Sequence, residues 1–193
     1  MKYSQIAVAI PLMAESENLP NLVNCLEAQT FQNFKVFFCV NQPESFWQNP
    51  EKTFICHNNR ESIEYLHALD SDRYFIIDRS SEGKGWDEKR QGVGHARKVL
   101  FDTILEKHSD NTIIISLDGD TSFSGNYFQS IVSQFNEKPG ISFLKSGKNP
   151  ISFIYSIASS TVWIHSGSSG ATPYIIHVPF SFGIYNFRPF PAA

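Results

Sequence analysis

Over its first 137 residues the chain alternates short apolar runs with stretches of helical periodicity, which predicts an α/β fold: a mostly parallel sheet flanked by helices. Two further observations point the same way. Residues 36–40 are almost continuously apolar, as a strand covered on both faces requires. Several apolar runs also end in polar residues able to hold a ligand, as parallel strands do at their carboxyl ends in open α/β sheets.

Taken in order, residues 6–10 form a first strand that stops at Pro11. Leu19, Leu22, Val23 and Leu26 then recur at helical spacing, with Asn18 placed as a cap and Pro20 acceptable in the first turn. Residues 36–40 make the second strand. Residues 53–56 are expected as a short third strand, and 61–69 as a helix. Residues 74–77 read as a strand ending at Asp78. Residues 94–106 form a helix with Ala96, Leu100 and Ile104 on one face. The strand 113–117 follows, then a helix from about Asn126 that turns Tyr127, Phe128, Ile131, Val132 and Phe135 inward.

The length of 193 residues allows one domain with a real core, and 41% of the residues are hydrophobic. A net charge of −3 leaves no footprint for a polyanion, so nucleic acid is not an expected partner. Cys25, Cys39 and Cys56 are odd in number and lack a Cys-x-x-Cys pair, which argues against a zinc site or a disulfide framework. They read as buried reduced thiols of a cytosolic protein. No signal-peptide pattern opens the chain, and no run of about 18 apolar residues is present to span a membrane. The expected location is cytoplasmic, with the inner face of a membrane as an alternative.

The composition changes near residue 138. All 19 acidic residues lie at or before Glu137, where 12 basic residues leave a net −7. The 56 residues after it hold Lys138, Lys145, Lys148 and Arg188 and no acid at all, a net +4. An ordinary domain carries about a quarter charged residues. Residues 1–137 are therefore read as the well-formed domain, and 138–193 as an anomalous, irregular apolar tail not native to the fold. Short alternations such as 151–155 are compatible with strands. A shift of reading frame between Lys138 and Asn149 would produce such a break. Reading the encoding DNA in its other two frames past codon 138 is expected to recover an acidic, helix-patterned continuation. Two further frames without one would refute that origin.

The chemistry concentrates at Asp118-Gly119-Asp120, which ends the apolar strand 113–117. Alternate residues of an extended chain face the same way, so both carboxylates can address one cation, and Gly119 admits close approach to the backbone. Oxygen ligands suit Mg²⁺ or Mn²⁺, which complete their shells with water and substrate phosphates. Asp and Gly are also ordinary turn formers, so the motif alone leaves a plain strand-to-turn junction open. The segment Gly92-Val93-Gly94-His95-Ala96-Arg97-Lys98 opens a helix with two cations in its first turns, a combination suited to a diphosphate. Glu15 follows the first strand, Asn41-Gln42 the second, and Asp78 opens a loop containing Lys84. Phe46, Trp47 and Trp86 are aromatic residues available to shape a pocket or simply to pack.

In this order the features resemble family 2 glycosyltransferases of the GT-A fold. The matching pieces are the strand to Pro11 with Glu15 and a helix, Gln29-Thr30-Phe31 with the strand to Asn41, Asp78, the 92–98 element, and Asp118-Gly119-Asp120 as an Asp-x-Asp motif. The resemblance covers roughly residues 5–137. Two positions depart from it: Asn41-Gln42 stands where the family often has an acidic pair, and Lys98 replaces an Asn. The resemblance implies a GT-A-like (Rossmann-like) sheet and a nucleotide-sugar donor, with UDP as the nucleotide and a glycan or lipid-linked acceptor. Pro11, Glu15 and Asn41 would line the base and ribose pocket, and Asp78 would accept the base imide N–H. Arg97 and Lys84 would face the diphosphate. Asp118 would lie by ribose and metal, with Asp120 the main metal ligand.

The resemblance also implies an inverting transfer whose general base is an Asp or Glu well beyond the Asp-x-Asp motif. No carboxylate follows Glu137; His165 and His177 are the distal alternatives. A fragment that binds nucleotide and metal without turnover is therefore the competing expectation. Other doubly wound enzymes fare poorly, since neither Gly-x-Gly-x-x-Gly after the first strand nor Gly-x-x-x-x-Gly-Lys-Ser/Thr is present.

Overall fold

The computed structural model describes residues 3–87, 89, 91–108 and 112–137, and beyond them the backbone of three strands. The elements run β1 (Gln5–Leu12), α1 (Leu19–Glu27), β2 (Phe34–Asn41), α2 (Thr53–Ala68), β3 (Tyr74–Arg79), α3 (Val93–Lys107), β4 (Thr112–Ser116) and α4 (Tyr127–Glu137). A 3₁₀ turn, Glu44–Gln48, lies between β2 and α2. The backbone strands are β5 (Phe153–Ser156), β6 (Thr161–Ile164) and β7 (Tyr174–His177).

Five strands form one sheet in the order β3-β2-β1-β4-β5. The first four are parallel and β5 adds antiparallel to β4. Parallel neighbours require crossovers, and α1, α2 and α3 supply them. β6 and β7 pair with each other in a separate two-stranded sheet. The predicted α/β class with a mostly parallel sheet is thus the observed one. The expectations for 138–193, including His165, otherwise fall outside the described residues.

Strand alternation sends successive side chains to opposite faces, and each face has its own core. On one side Ile6, Val8 and Ile10 of β1, Val36, Phe38 and Val40 of β2, and Ile113 and Ile115 of β4 pack with Leu22 and Leu26 of α1 and Phe128, Ile131 and Phe135 of α4. On the other, Ala7, Ala9, Phe37, Cys39 and Ile114 meet Ala96, Leu100 and Ile104 of α3. The small Ala7 and Ala9 let α3 approach the centre of the sheet closely. Cys39 lies wholly inside this second core, where burial pushes its thiol up to about 12, so it stays protonated and unreactive at neutral pH.

Residues 53–56 are not a strand. They are the first turn of α2, which runs from Thr53 through the helix expected at 61–69. The inward face of α2 is Ile55, Cys56, Asn59, Ser62 and Leu66. Two of those positions are polar, so the apolar periodicity that marks a helix is broken at its middle, leaving the β-branched start to read as extended. Asn18 also differs from its expected role: it precedes α1 but makes no side-chain cap, its amide donating instead to Glu15 Oε2 at 2.5 Å.

Candidate functional site

The carboxyl ends of the four parallel strands lie side by side. Register pairs Leu12 with Val40 and Val40 with Asp78, while β4 leaves the sheet one residue beyond Ser116. Pro11 explains that departure. Ala9 accepts the Leu117 N–H at 3.0 Å. Pro11, two residues on and facing the same side, has no N–H to continue the ladder. It is buried within β1, one residue before the strand's end, so it shapes the edge from below rather than presenting a face to solvent.

Freed from the ladder, Asp118 begins a tight turn in which the Thr121 N–H donates to the Asp118 carbonyl at 3.1 Å. The Asp118 N–H in turn donates to Thr121 Oγ1 at 3.2 Å. Gly119 sits where any side chain would force Leu12 or Glu15 to shift. A Cβ there would meet Leu12 Cδ2 at 2.8 Å and Glu15 Cγ at 3.0 Å. The turn therefore sits directly against the end of β1, and Glu15 borders it.

Arg97 reaches this turn from α3. Its Nη2 lies 2.5 Å from Asp118 Oδ1, with the side chains 19% and 27% exposed. The helix start is set by Gly92, whose φ of 88° is open to glycine and strained for other residues. Lys98, the second cation of that segment, pairs with Asp102 one turn further along instead. Asp120 is exposed. Among the described residues no three His, Cys, Asp or Glu side chains gather as a metal cage. Asp118 and Asp120 lie in a turn, not in the extended backbone expected to face both carboxylates one way. As a donor set, two carboxylates one residue apart still fit Mg²⁺ or Mn²⁺, which are commonly held by one or two carboxylates plus substrate phosphates.

At the other end of the row, Asp78 is heavily engaged. Its Oδ1 accepts the N–H groups of Ser80 and Ser81, each at 3.0 Å, and its Oδ2 pairs with Lys84 Nζ at 2.8 Å. Burial raises its pKa, but the Lys84 ammonium and the N–H groups of Ser81 and Ser80 outweigh that and hold the carboxyl well below the usual carboxylate range. A carboxylate depressed in the native state adds stability above its unfolded pKa of about 3.9, and loses it as pH falls from there through the native value. Asp78→Asn is accordingly expected to lower the urea midpoint at pH 7, with the gap to wild type closing on acidification below about pH 4. A gap unchanged between pH 7 and pH 3 would contradict this.

Between these ends lies Asn41, and its side chain points inward. Its amide donates to the Leu12 carbonyl at 2.9 Å and its Oδ1 accepts Trp86 Nε1 at 3.2 Å. Buried at 3% exposure, it ties β1, β2 and the loop after β3 together and has little left to offer a ligand directly. Trp86 is likewise a packed residue, under the Arg79 guanidinium and against His95. Trp47 donates its indole N–H to the Ser80 carbonyl and stacks with Arg60.

Three residues that carry the architecture of this edge had no motif to announce them. Asn59, fully buried on α2, accepts the Ala14 N–H at 2.9 Å and donates to the Asn41 carbonyl and to Gln42 Oε1. Its neighbour Asn58 accepts the Ser16 N–H at 2.9 Å. Together they hold the loop that carries Glu15. Glu44 grips the Lys84 loop, accepting the Gly83 N–H at 2.8 Å and the Gly85 N–H at 2.7 Å. A Cβ at residue 85 would come within 2.7 Å of the Glu44 backbone, so glycine is what permits the grip.

No helix among the described residues is long and apolar enough to cross a membrane. No family model matches the chain, and no curated protein sequence does. Among solved structures the chain is similar to S. aureus TarS 1-349 in complex with UDP, at 14% identity and a TM-score of 0.44, over 74% of this chain and 38% of that one. It is similar to S. aureus TarS 1-349 without that ligand named, at 13% identity and a TM-score of 0.49, over 80% and 47%. It is also similar to the mannosyltransferase PcManGT from Pyrobaculum calidifontis in complex with GDP-Man and Mn²⁺, at 13% identity and a TM-score of 0.45, over 75% and 36%. The chain spans less than half the length of each. Likeness at this level decides neither family nor activity.

Proposed function

We propose that the carboxyl edge of the sheet binds a nucleotide-activated sugar together with Mg²⁺ or Mn²⁺, as the donor half of an inverting glycosyltransferase. The observation that carries this reading is the row of groups along that edge. Asp78 with Lys84 stands at β3, Glu15 follows β1, and the Arg97–Asp118 pair with Asp120 follows β4. Three strand spacings separate its ends by roughly 14 Å, room for a base at one end and a diphosphate at the other. Asp78 Oδ2 has lone-pair capacity beyond Lys84 to accept an imide N–H, which favours uracil over adenine. Arg97 offers a planar cation matched to phosphate oxygens. When bound, the cation would supply Lewis-acid stabilisation of the departing diphosphate, with Asp118 and Asp120 holding it. Asn41 and Pro11 belong to this reading as supports of the pocket rather than its lining.

A second reading is a chain that binds nucleoside diphosphate and metal without turnover. The absence of any Asp or Glu among residues 138–193 favours it, since the region where the family resemblance would put the acceptor's base then offers no carboxylate. Calorimetry with UDP, with and without Mn²⁺, tests the shared part: metal-dependent binding is expected, and equal affinity in both conditions would overturn it. Incubation with a labelled UDP-sugar and glycan or lipid-linked acceptors separates the two, product formation supporting the transferase and binding alone the second reading.

A further inference from the structure

The ion pair between Arg97 and Asp118 has a consequence for how ligands enter the site. Asp118 Oδ1 is taken by the guanidinium at 2.5 Å, and neither side chain is more than 27% exposed, so solvent screens the pair weakly. Asp120 is exposed and has no ion-pair partner among the described residues. The two candidate metal ligands are therefore in different electrostatic states before anything binds. One is neutralised by a fixed cation, and the other is open to solvent.

A divalent cation approaching Asp118 competes with Arg97 for the same carboxylate and is repelled by its charge. With Glu15 bordering the turn, three carboxylates and one guanidinium sum to a net −2, so what opposes M²⁺ alone is the guanidinium's hold on Asp118 Oδ1 and its charge beside the same oxygens, not the total charge. A diphosphate changes that balance. It brings negative charge to compensate both cations, and it offers the guanidinium oxygens with which Arg pairs in bidentate fashion. We infer that Arg97 makes cation binding conditional on the diphosphate: it occupies Asp118 while the site is empty, and gives it up only when an anion arrives to pair with the guanidinium in its place. This rests on the donor-site reading above. Because coupling between two ligands is reciprocal, UDP raises the affinity for Mn²⁺ by the same factor that Mn²⁺ raises the affinity for UDP, and Arg97 supplies much of that factor.

The test is a Mn²⁺ titration followed by electron paramagnetic resonance on wild type, Arg97→Met, Arg97→Gln and Arg97→Lys, each with and without saturating UDP. Arg97→Met is expected to bind Mn²⁺ alone about tenfold more tightly than wild type, while the enhancement by UDP shrinks by a similar factor. Arg97→Lys, which keeps the charge, should stay near wild type in Mn²⁺ affinity without UDP. Structural damage would weaken metal binding rather than strengthen it, so a gain is not a sign of misfolding. Arg97→Gln serves the same purpose should the methionine variant fail to fold, as judged by its thermal melt. Folded neutral variants that bind Mn²⁺ alone no more tightly than wild type would overturn the inference. If wild type binds Mn²⁺ no better with UDP than without it, the donor-site reading itself falls, whatever the variants do.

Discussion

Replacing Asp120 by alanine is expected to abolish Mn²⁺-dependent binding of UDP while leaving the fold almost as stable as wild type. The side chain is exposed and forms no ion pair among the described residues, so its removal should change stability by no more than about 0.5 kcal/mol. Its loss from the metal would be far larger. Even partners that only orient a metal ligand are worth about 10–100-fold in affinity, so a direct carboxylate ligand should cost more than about 100-fold. Asp118→Ala makes an instructive contrast. It would remove a ligand and also the ion pair with Arg97, so it should lower both metal affinity and stability. Calorimetry with and without Mn²⁺, paired with thermal melts, separates these outcomes. Unchanged metal dependence of UDP binding in Asp120→Ala would refute its role.

Asn59→Ala is expected to be the most destabilising single change at this edge, by about 3 kcal/mol. It would leave the Ala14 N–H, the Asn41 carbonyl and Gln42 Oε1 without the partner each has in the native fold. Ala14 adds to the effect. Its φ of 59° is a left-handed conformation that costs a residue with a Cβ about 1–2 kcal/mol, and the Asn59 bond to its N–H helps hold it there. Once that bond is gone, the 13–18 loop should relax and Glu15 should withdraw from Gly119. UDP affinity should fall as well, even under conditions where the variant is fully folded. A urea denaturation midpoint lowered at unchanged slope would show the stability loss. A cost below about 1 kcal/mol would mean that water replaces the amide and the hub is not needed.

Much of the fold was legible because local rules and tertiary burial agree in it. β1, β2 and β4 are apolar enough to be strands buried on both faces, and α1 and α4 show helical spacing that the core then uses. α2 was misread at its start because the residues it turns inward include Asn59 and Ser62, and an inward polar residue carries no hydrophobic period. That failure coincides with the place where the helix serves the candidate site rather than the core.

The sequence by itself determined the alternation of strands and helices and the position of Asp118-Gly119-Asp120 at a strand's carboxyl end. These follow from periodicity, which acts within a few residues. Only the tertiary structure decided which polar groups meet. It turned Asn41 inward to Leu12 and Trp86, gave Asp78 to Lys84 and two N–H groups, joined Arg97 to Asp118, and set Asn59 beneath the loop of Glu15. A hydrogen bond or ion pair depends on angstrom-scale placement of groups from separate elements, and the order of the strands, not the order of the residues, sets that placement.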